Sequence, residues 1–463
     1  MPFFCKERFI RVIALALPAA LGALIDMTQV LIDFYLVGYL GVSETAAIGI
    51  ALQFTGLFYT VMSIFFIGSN ALMSRFLGAN EIDRAGGVLS VFTLALLLLS
   101  LPAVVCSALL AEFPFTLMHS DPKVEELGAS YLFAMSFALP AMMVNQIAFS
   151  AFSAAANIKT PLFIKILSNF VNIALSFILI FGEAGVPNGG AINVAFAPLF
   201  KIAGAFGIEG YGVAGAAAGT AATFYLESLC YFFLIVVRKK PFRSRLSFDY
   251  RLLLRGLNIG VPAGVERLIT YGSFLVFMRI VSDFGTEVMA GYQIGLRVES
   301  IVFMPGIGFT IAAMSLTGRA LGARNPLEAE KDALFTTLGA AVIMGAAGVL
   351  MAFFALPLAA VFSDDQGAIK AAEHYLICVG LSQLPLGVSF VLSGAFRGAG
   401  DSRTSLKINT LSMWIFRIAP AIAFALVWES IIAIWIVTLA ETWIRGVWLL
   451  WVFKKGRWKT IKV

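Results

Sequence analysis

VIALALPAALGALIDMTQVLIDFYLVGYLG, residues Val12 to Gly41, is a thirty-residue run near the start of the chain. It is almost wholly apolar and exceeds the roughly 20 residues a helix needs to cross the hydrocarbon core, so it reads as a transmembrane helix, tilted or kinked. Pro18 lies in its first third and is the candidate hinge, because proline removes an intrahelical hydrogen bond and bends the chain. Asp26 and Asp33 interrupt the run seven residues apart, about two helical turns, and therefore share a face. A carboxylate in lipid costs at least about 2.5 kcal/mol, so that face looks into protein or water. Two readings stay open for the pair: carboxylates neutralised or paired for structural reasons, or a cation or proton site, the default for ionisable groups at this depth.

The rest of the chain repeats that pattern. Of 463 residues 60% are apolar and only 13% are charged, too few charges for an ordinary soluble protein. Long apolar runs recur from end to end, and the alternation of a transmembrane barrel is absent. The class is an all-α polytopic membrane protein. The first apolar run is too long, and too poor in small residues at its end, for a cleaved leader. The net charge of +6 does not indicate nucleic acid, because the basic residues sit in short clusters flanking the apolar runs. Cys5, Cys106, Cys230 and Cys378 are scattered and form no CxxC. His119 and His374 fall in loops or at helix ends, which argues against histidine-based metal chemistry. No cofactor is expected.

Twelve spans are predicted, at about 12–41, 44–74, 84–110, 123–155, 160–182, 211–237, 253–284, 287–319, 333–358, 368–396, 404–427 and 431–453. An even number puts both termini on one side of the membrane. With that side cytoplasmic, the inner segments hold 25 of the 33 Lys and Arg residues, and the outer segments only Lys123, Lys201 and Lys370. This is the positive-inside bias, and it supports both the orientation and the span count.

The chain also repeats itself. Pro18 stands 244 residues before Pro262, and at the same offset Arg75-Phe76-Leu77-Gly78-Ala79 matches Arg319-Ala320-Leu321-Gly322-Ala323. Val37 matches Val281, Gly41 matches Gly285, Phe152 matches Phe396 and Thr160 matches Thr404. Two parallel halves of six spans follow: residues 1–237, a cytoplasmic linker at 238–252 containing RKKPFRSR, and residues 253–463. Repeats of this kind place a substrate site near the midplane between the halves. An outer loop, 183–210, breaks the symmetry and is apolar enough to carry a short interfacial helix.

VLIDFYLVGYLG in the first span, GSNALMSRFLGAN closing the second, GVPAGVE opening the seventh, AGYQIGLRVESIVFMPGIGFTIAAMSLTGRALGARN (Ala290 to Asn325) and SGAFRGAGDSRTSL (Ser393 to Leu406) carry a resemblance. On these motifs the chain resembles the multidrug and toxic compound extrusion (MATE) transporters, and within them the prokaryotic DinF-like branch. The resemblance covers nearly the whole chain outside the 183–210 loop. It implies two six-helix bundles in a V, and export of amphipathic, often cationic compounds driven by entry of Na⁺ or H⁺.

It further implies a cation or proton site in the first half. Asp33 matches the family's first-span aspartate, Asn172 a fifth-span asparagine and Thr220 a sixth-span threonine; where many DinF-like members have a second aspartate, this chain has Ser176. Depth agrees independently: counted from the outer ends of their spans, Asp33, Ser176 and Thr220 all lie roughly 9–14 Å below the outer surface. Carboxylate, amide and hydroxyl oxygens are what a hard cation such as Na⁺ takes, whereas a proton needs only Asp33. The missing aspartate weakens a Na⁺ site more than a proton site. Asp26, Glu266 and Glu299 are further candidates for coupling or substrate binding. Glu227 reads as a packing anchor, and Glu441 and Arg445, four apart on one helix, as an ion pair.

The leading expectation is thus a secondary active exporter in the cell membrane, a monomer, with small amphipathic substrates and membrane lipid as its partners. A flippase of lipid-linked oligosaccharides is the nearest alternative. A pore or a major-facilitator carrier fits the repeat or the motifs less well. An intramembrane enzyme lacks support, since no HExxH, histidine cluster or Ser/His arrangement lies within the spans.

Overall fold

The computed structural model describes residues 5–187, 189–243 and 249–461. Residues 244–248, inside the expected linker, lie outside that range. The spanning helices are α1 (Lys6–Gly38), α2 (Val42–Gly78), α3 (Ile82–Leu109), α4 (Pro122–Ser136 with Leu139–Ala154), α5 (Lys159–Ala184), α6 (Gly212–Val237), α7 (Tyr250–Ser282), α8 (Thr286–Gly322), α9 (Pro326–Phe353), α10 (Gln366–Gly398), α11 (Ser402–Val427) and α12 (Ile431–Lys454). Among the described residues, ten of these are long and apolar enough to cross a membrane as single helices. The other two are α4, bent by 52° at its break, and α7, a 33-residue helix whose apolar run is interrupted by Glu266 and Arg267. Six helices from each half of the sequence form the two bundles that the repeat predicted.

Boundaries differ from the sequence reading where local chemistry intervenes. The fourth span, expected to be one helix over 123–155, breaks after Ser136 because Pro140 enters the first turn of the next segment. The ninth starts at Pro326 rather than 333, since the Asn325 side chain accepts from Glu328 N and caps a charged, exposed first turn. Asp121, Asp249, Asp365, Asp401 and Ser430 cap α4, α7, α10, α11 and α12 in the same manner. In the outer loop two short helices form, Gly190–Ala195 and Ala197–Ala205. Phe196 stacks on Phe177 of α5, with ring centroids 4.1 Å apart, and pins the loop to that helix.

The bundles meet through α1 against α8 and α2 against α7, and the repeat offset recurs in the contacts. A Cβ built on Gly308 would stand 2.3 Å from the Ala16 carbonyl oxygen; one on Gly260 would stand 2.0 Å from that of Ile64, the counterpart pair. The bare helix backbones touch, which small residues permit. At the end holding the termini the exchange becomes reciprocal. Arg75 Nη2 donates to the Ala399 carbonyl at 2.9 Å and Arg319 Nη1 to the Ala155 carbonyl at 3.3 Å. Each arginine crosses from its own bundle to the last carbonyls of a helix in the other, where the helix dipole favours a cation. Arg75 also donates to the Ile461 carbonyl, so the C-terminal segment, anchored by the buried Trp458, closes over it.

A second tie joins the bundles at the same end. Arg8 of α1, fully buried, donates through Nε to Asp332 and through Nη2 to Glu328, each at 2.8 Å, and Arg11 reaches both carboxylates. Removing one partner of a buried ion pair leaves an uncompensated charge and costs about 3–5 kcal/mol. Arg8→Ala is therefore expected to destabilise the detergent-solubilised protein by about that amount, read as a lowered thermal midpoint. An unchanged midpoint would mean Asp332 is compensated without Arg8.

Candidate functional site

Three helices of the first bundle each carry a polar stripe on an apolar body. On α5 the register Lys165, Ser168, Asn172, Ser176 advances by three or four residues and stays on one face. On α6 Thr220, Thr223 and Glu227 do the same, and on α1 Asp26 and Asp33 are two turns apart. The stripes converge. Ser176 Oγ donates to Asp33 Oδ1 at 2.7 Å, and Thr220 Oγ1 donates to Asp33 Oδ2 at 3.0 Å. Asn172 Nδ2 donates to Thr220 Oγ1 at 3.3 Å, which commits the threonine proton to the aspartate. Asn172 and Ser176 are wholly buried. The four residues that the resemblance singled out in the first half thus surround one point.

Chemically, both oxygens of the Asp33 carboxylate are occupied by hydroxyl donors, an arrangement suited to the charged form. The lone pairs of Ser176 and Thr220, the second lone pairs of Asp33 and the Asn172 Oδ1 are oxygen ligands of the kind a hard cation takes. Asn172 Oδ1 is buried and, among the described residues, has no hydrogen-bond partner, an open acceptor at the edge of this centre. With Ser176 in place of a second carboxylate, the ring offers one formal negative charge. One charge matches a proton or a single monovalent cation.

The other acids are differently placed. Asp26 forms an ion pair with Lys165 of α5. Glu266 accepts from Arg397 at 2.9 Å, Ser405 at 2.9 Å and Asn409 at 2.6 Å, so a cation bound there would compete with an arginine already in place. Glu299 accepts from Tyr375 at 2.6 Å and from Gln383, beside the ring cluster of Tyr292 and Trp435. The expected Glu441–Arg445 pair is present at 3.4 Å, and Arg417 joins it at 2.7 Å from a π-helical stretch of α11. Among the described residues, no three His, Cys, Asp or Glu side chains gather as a metal site. Pro18 is buried inside a continuous helix. Thr223, which accepts from Asn172, was not singled out beforehand; its signal was the three-residue step from Thr220.

The family model MatE matches residues 18–178 and matches again over 262–423. The two matches begin 244 residues apart, at the offset of the internal repeat. The chain belongs to the MATE family. Along its length it is similar to a protein of Thermotoga maritima named probable multidrug resistance protein NorM, 23% identical over 462 residues, covering 96% of this chain and 92% of that one. It is also similar to multidrug resistance protein MdtK of Cronobacter sakazakii, 24% identical and covering 89% and 86%. Its fold matches a solved multidrug resistance MATE family transporter of the MOP superfamily, described as outward-facing, with a TM-score of 0.85 at 18% identity over 98% and 96% of the chains. A twelve-helix MATE fold in two bundles is therefore established for this chain.

Proposed function

We propose that this MATE protein is a secondary active multidrug exporter of the DinF-like branch, exchanging H⁺ or Na⁺ for amphipathic, often cationic compounds by alternating access. It acts as a monomer in the cell membrane with both termini cytoplasmic. The observation that carries the reading is the Asp33 centre: one carboxylate of α1, held by hydroxyls of α5 and α6 in the membrane interior. The multidrug names of the full-length relatives support the substrate class.

The coupling follows from hydrogen-bond bookkeeping. A charged Asp33 accepts two bonds. A proton on the carboxyl turns one oxygen into a donor, so a hydroxyl now donating to it must rotate and accept. Thr220 is held by Asn172, so Ser176 is the one free to turn. A cation would draw the same oxygens inward. Either event re-seats α1 against α5. Since α1 also packs along α8 of the other bundle, its movement reaches the interface. The reciprocal arginines close the end of the interface at the termini, and substrate leaves through the opposite one.

The test is efflux of a fluorescent lipophilic cation, ethidium, from proteoliposomes under a pH gradient and a Na⁺ gradient imposed separately. Efflux driven by one gradient establishes coupled export and names the ion. No efflux under either overturns the reading in favour of a lipid-linked oligosaccharide flippase, which lipid scrambling assays in the same vesicles would detect.

A further inference from the structure

Below Asp33 the three polar stripes meet a second time. Glu227, about two turns beyond Thr220 on α6, is buried. Its Oε1 accepts from Ser168 Oγ at 2.6 Å and its Oε2 from Asn145 Nδ2 at 3.2 Å. Ser228 donates to Asn145 Oδ1 at 2.7 Å, which holds the amide with its NH₂ towards the glutamate. Lys165 of α5 pairs with Asp26 of α1 and lies within electrostatic reach of Glu227. Among the described residues, the remaining titratable neighbours are Tyr59 of α2 and Cys230 and Tyr231 of α6, none of them a cation.

The charge count does not balance. Two carboxylates, Asp26 and Glu227, share one ammonium. Leaving the surplus carboxylate ionised inside the bundle would be strongly unfavourable. Asp26 is 56% exposed and holds the lysine, so the proton that balances the cluster belongs on Glu227. The hydrogen bonds accommodate both forms. Ser168 Oγ lies within reach of two acceptors, Glu227 Oε1 and the Lys165 carbonyl at 3.2 Å. With Glu227 ionised, the serine donates to it. With Glu227 protonated, the carboxyl donates to the serine, and the serine donates to the carbonyl instead. Neither state strands a polar group.

We infer that Glu227 is a second proton-binding group of the first bundle and that Lys165 reports its charge to α1. When Glu227 carries a proton, the lysine belongs to Asp26 and ties α1 to α5. When the proton leaves for solvent at the terminal end, Lys165 becomes the counter-charge of Glu227 and its hold on Asp26 weakens. α1 would then answer to two carboxylates at two depths, Asp33 through hydroxyls and Glu227 through a lysine. The inference rests on this bundle being the coupling bundle, but its test is independent of Asp33.

The test is an infrared pH titration of the purified, reconstituted full-length protein. A buried protonated carboxyl gives a resolved C=O band that disappears as pH rises. Glu227→Gln should lack one such band and Glu227→Asp should keep it at a shifted frequency. Asp26→Asn frees Lys165 for Glu227, so the band should disappear about one pH unit or more earlier; Lys165→Met should make it persist about one unit or more longer. An unaltered spectrum in Glu227→Gln overturns the proton site. A midpoint that stays put in both Asp26→Asn and Lys165→Met overturns the lysine switch. Asp33→Asn should leave the Glu227 band in place, so failure of the Asp33 reading and failure of this one are told apart.

Discussion

Asp33→Asn should abolish gradient-driven efflux while leaving the protein folded. The amide has the shape of the carboxylate and can be accommodated: its oxygen accepts from Thr220, whose proton is committed by Asn172, and its NH₂ faces Ser176, whose hydroxyl can reverse to accept. What it cannot do is gain or lose a charge. With no group left there to take up and release charge, the gradient has nothing to act on, and driven efflux should fall to the leak of empty vesicles. Ser176→Ala and Thr220→Val each delete one donor to a charged acceptor, worth about 1.5–3 kcal/mol, and should cost about ten- to a hundredfold. The ordering is the sharp part. If either hydroxyl variant were as damaged as Asp33→Asn, the hydroxyls rather than the carboxylate would carry the step. Driven efflux surviving in Asp33→Asn would move the coupling site out of this centre altogether. A corollary concerns the ion: Ser176→Asp adds the second carboxylate, and should raise dependence on Na⁺ relative to H⁺ in the same vesicles.

The centre was legible through the resemblance, which singled out Asp33, Asn172, Ser176 and Thr220, while counting residues from the helix ends independently placed three of them at one depth. The repeat was equally legible, since an offset of 244 needs no geometry to be seen. Partners across helices were not. Nothing in the sequence says that Lys165, one of many basic residues near span ends, turns inward to Asp26 rather than outward to headgroups. Nor does it say that Glu266 meets Arg397, 131 residues away. Such pairings depend on helix rotation, which packing decides and which a stripe of alternatives on each helix leaves open. The bend in α4 was missed for a related reason. The apolar composition continues through Phe137 and Ala138, and only Pro140 marks the break.

The repeated Arg-x-Leu-Gly-Ala motif finds its reason at the bundle interface, and it supports the second large effect. Arg75→Ala combined with Arg319→Ala should open the terminal end. Each arginine makes a charge-assisted bond to a carbonyl of the other bundle, worth about 1.5–3 kcal/mol. Two together approach the roughly 5.5 kcal/mol that turns a 99:1 equilibrium into 1:99. The glycines of the motif make the closure tight: a Cβ on Gly78 would sit 2.0 Å from the Arg319 carbonyl oxygen, and one on Gly322 2.1 Å from that of Arg75. Gly78→Leu or Gly322→Leu should therefore pry the same seam by sterics that the arginine pair loosens by lost bonds. Spin labels at Ile82 and Leu327, exposed positions in the first turns of α3 and α9, would read the separation by pulsed electron resonance. The distance should lengthen in the double arginine variant and in either leucine variant, lengthen by less in each single arginine variant, and return towards the parent value with Arg75→Lys and Arg319→Lys. An unchanged distance in the double variant would leave the seam to Arg8, Asp332 and the apolar contact of α1 with α8. Alternating access also demands that this closure be reversible. A seam built from two matched hydrogen-bonded arginines over glycine, rather than from interlocked large side chains, can part and re-form without repacking either bundle.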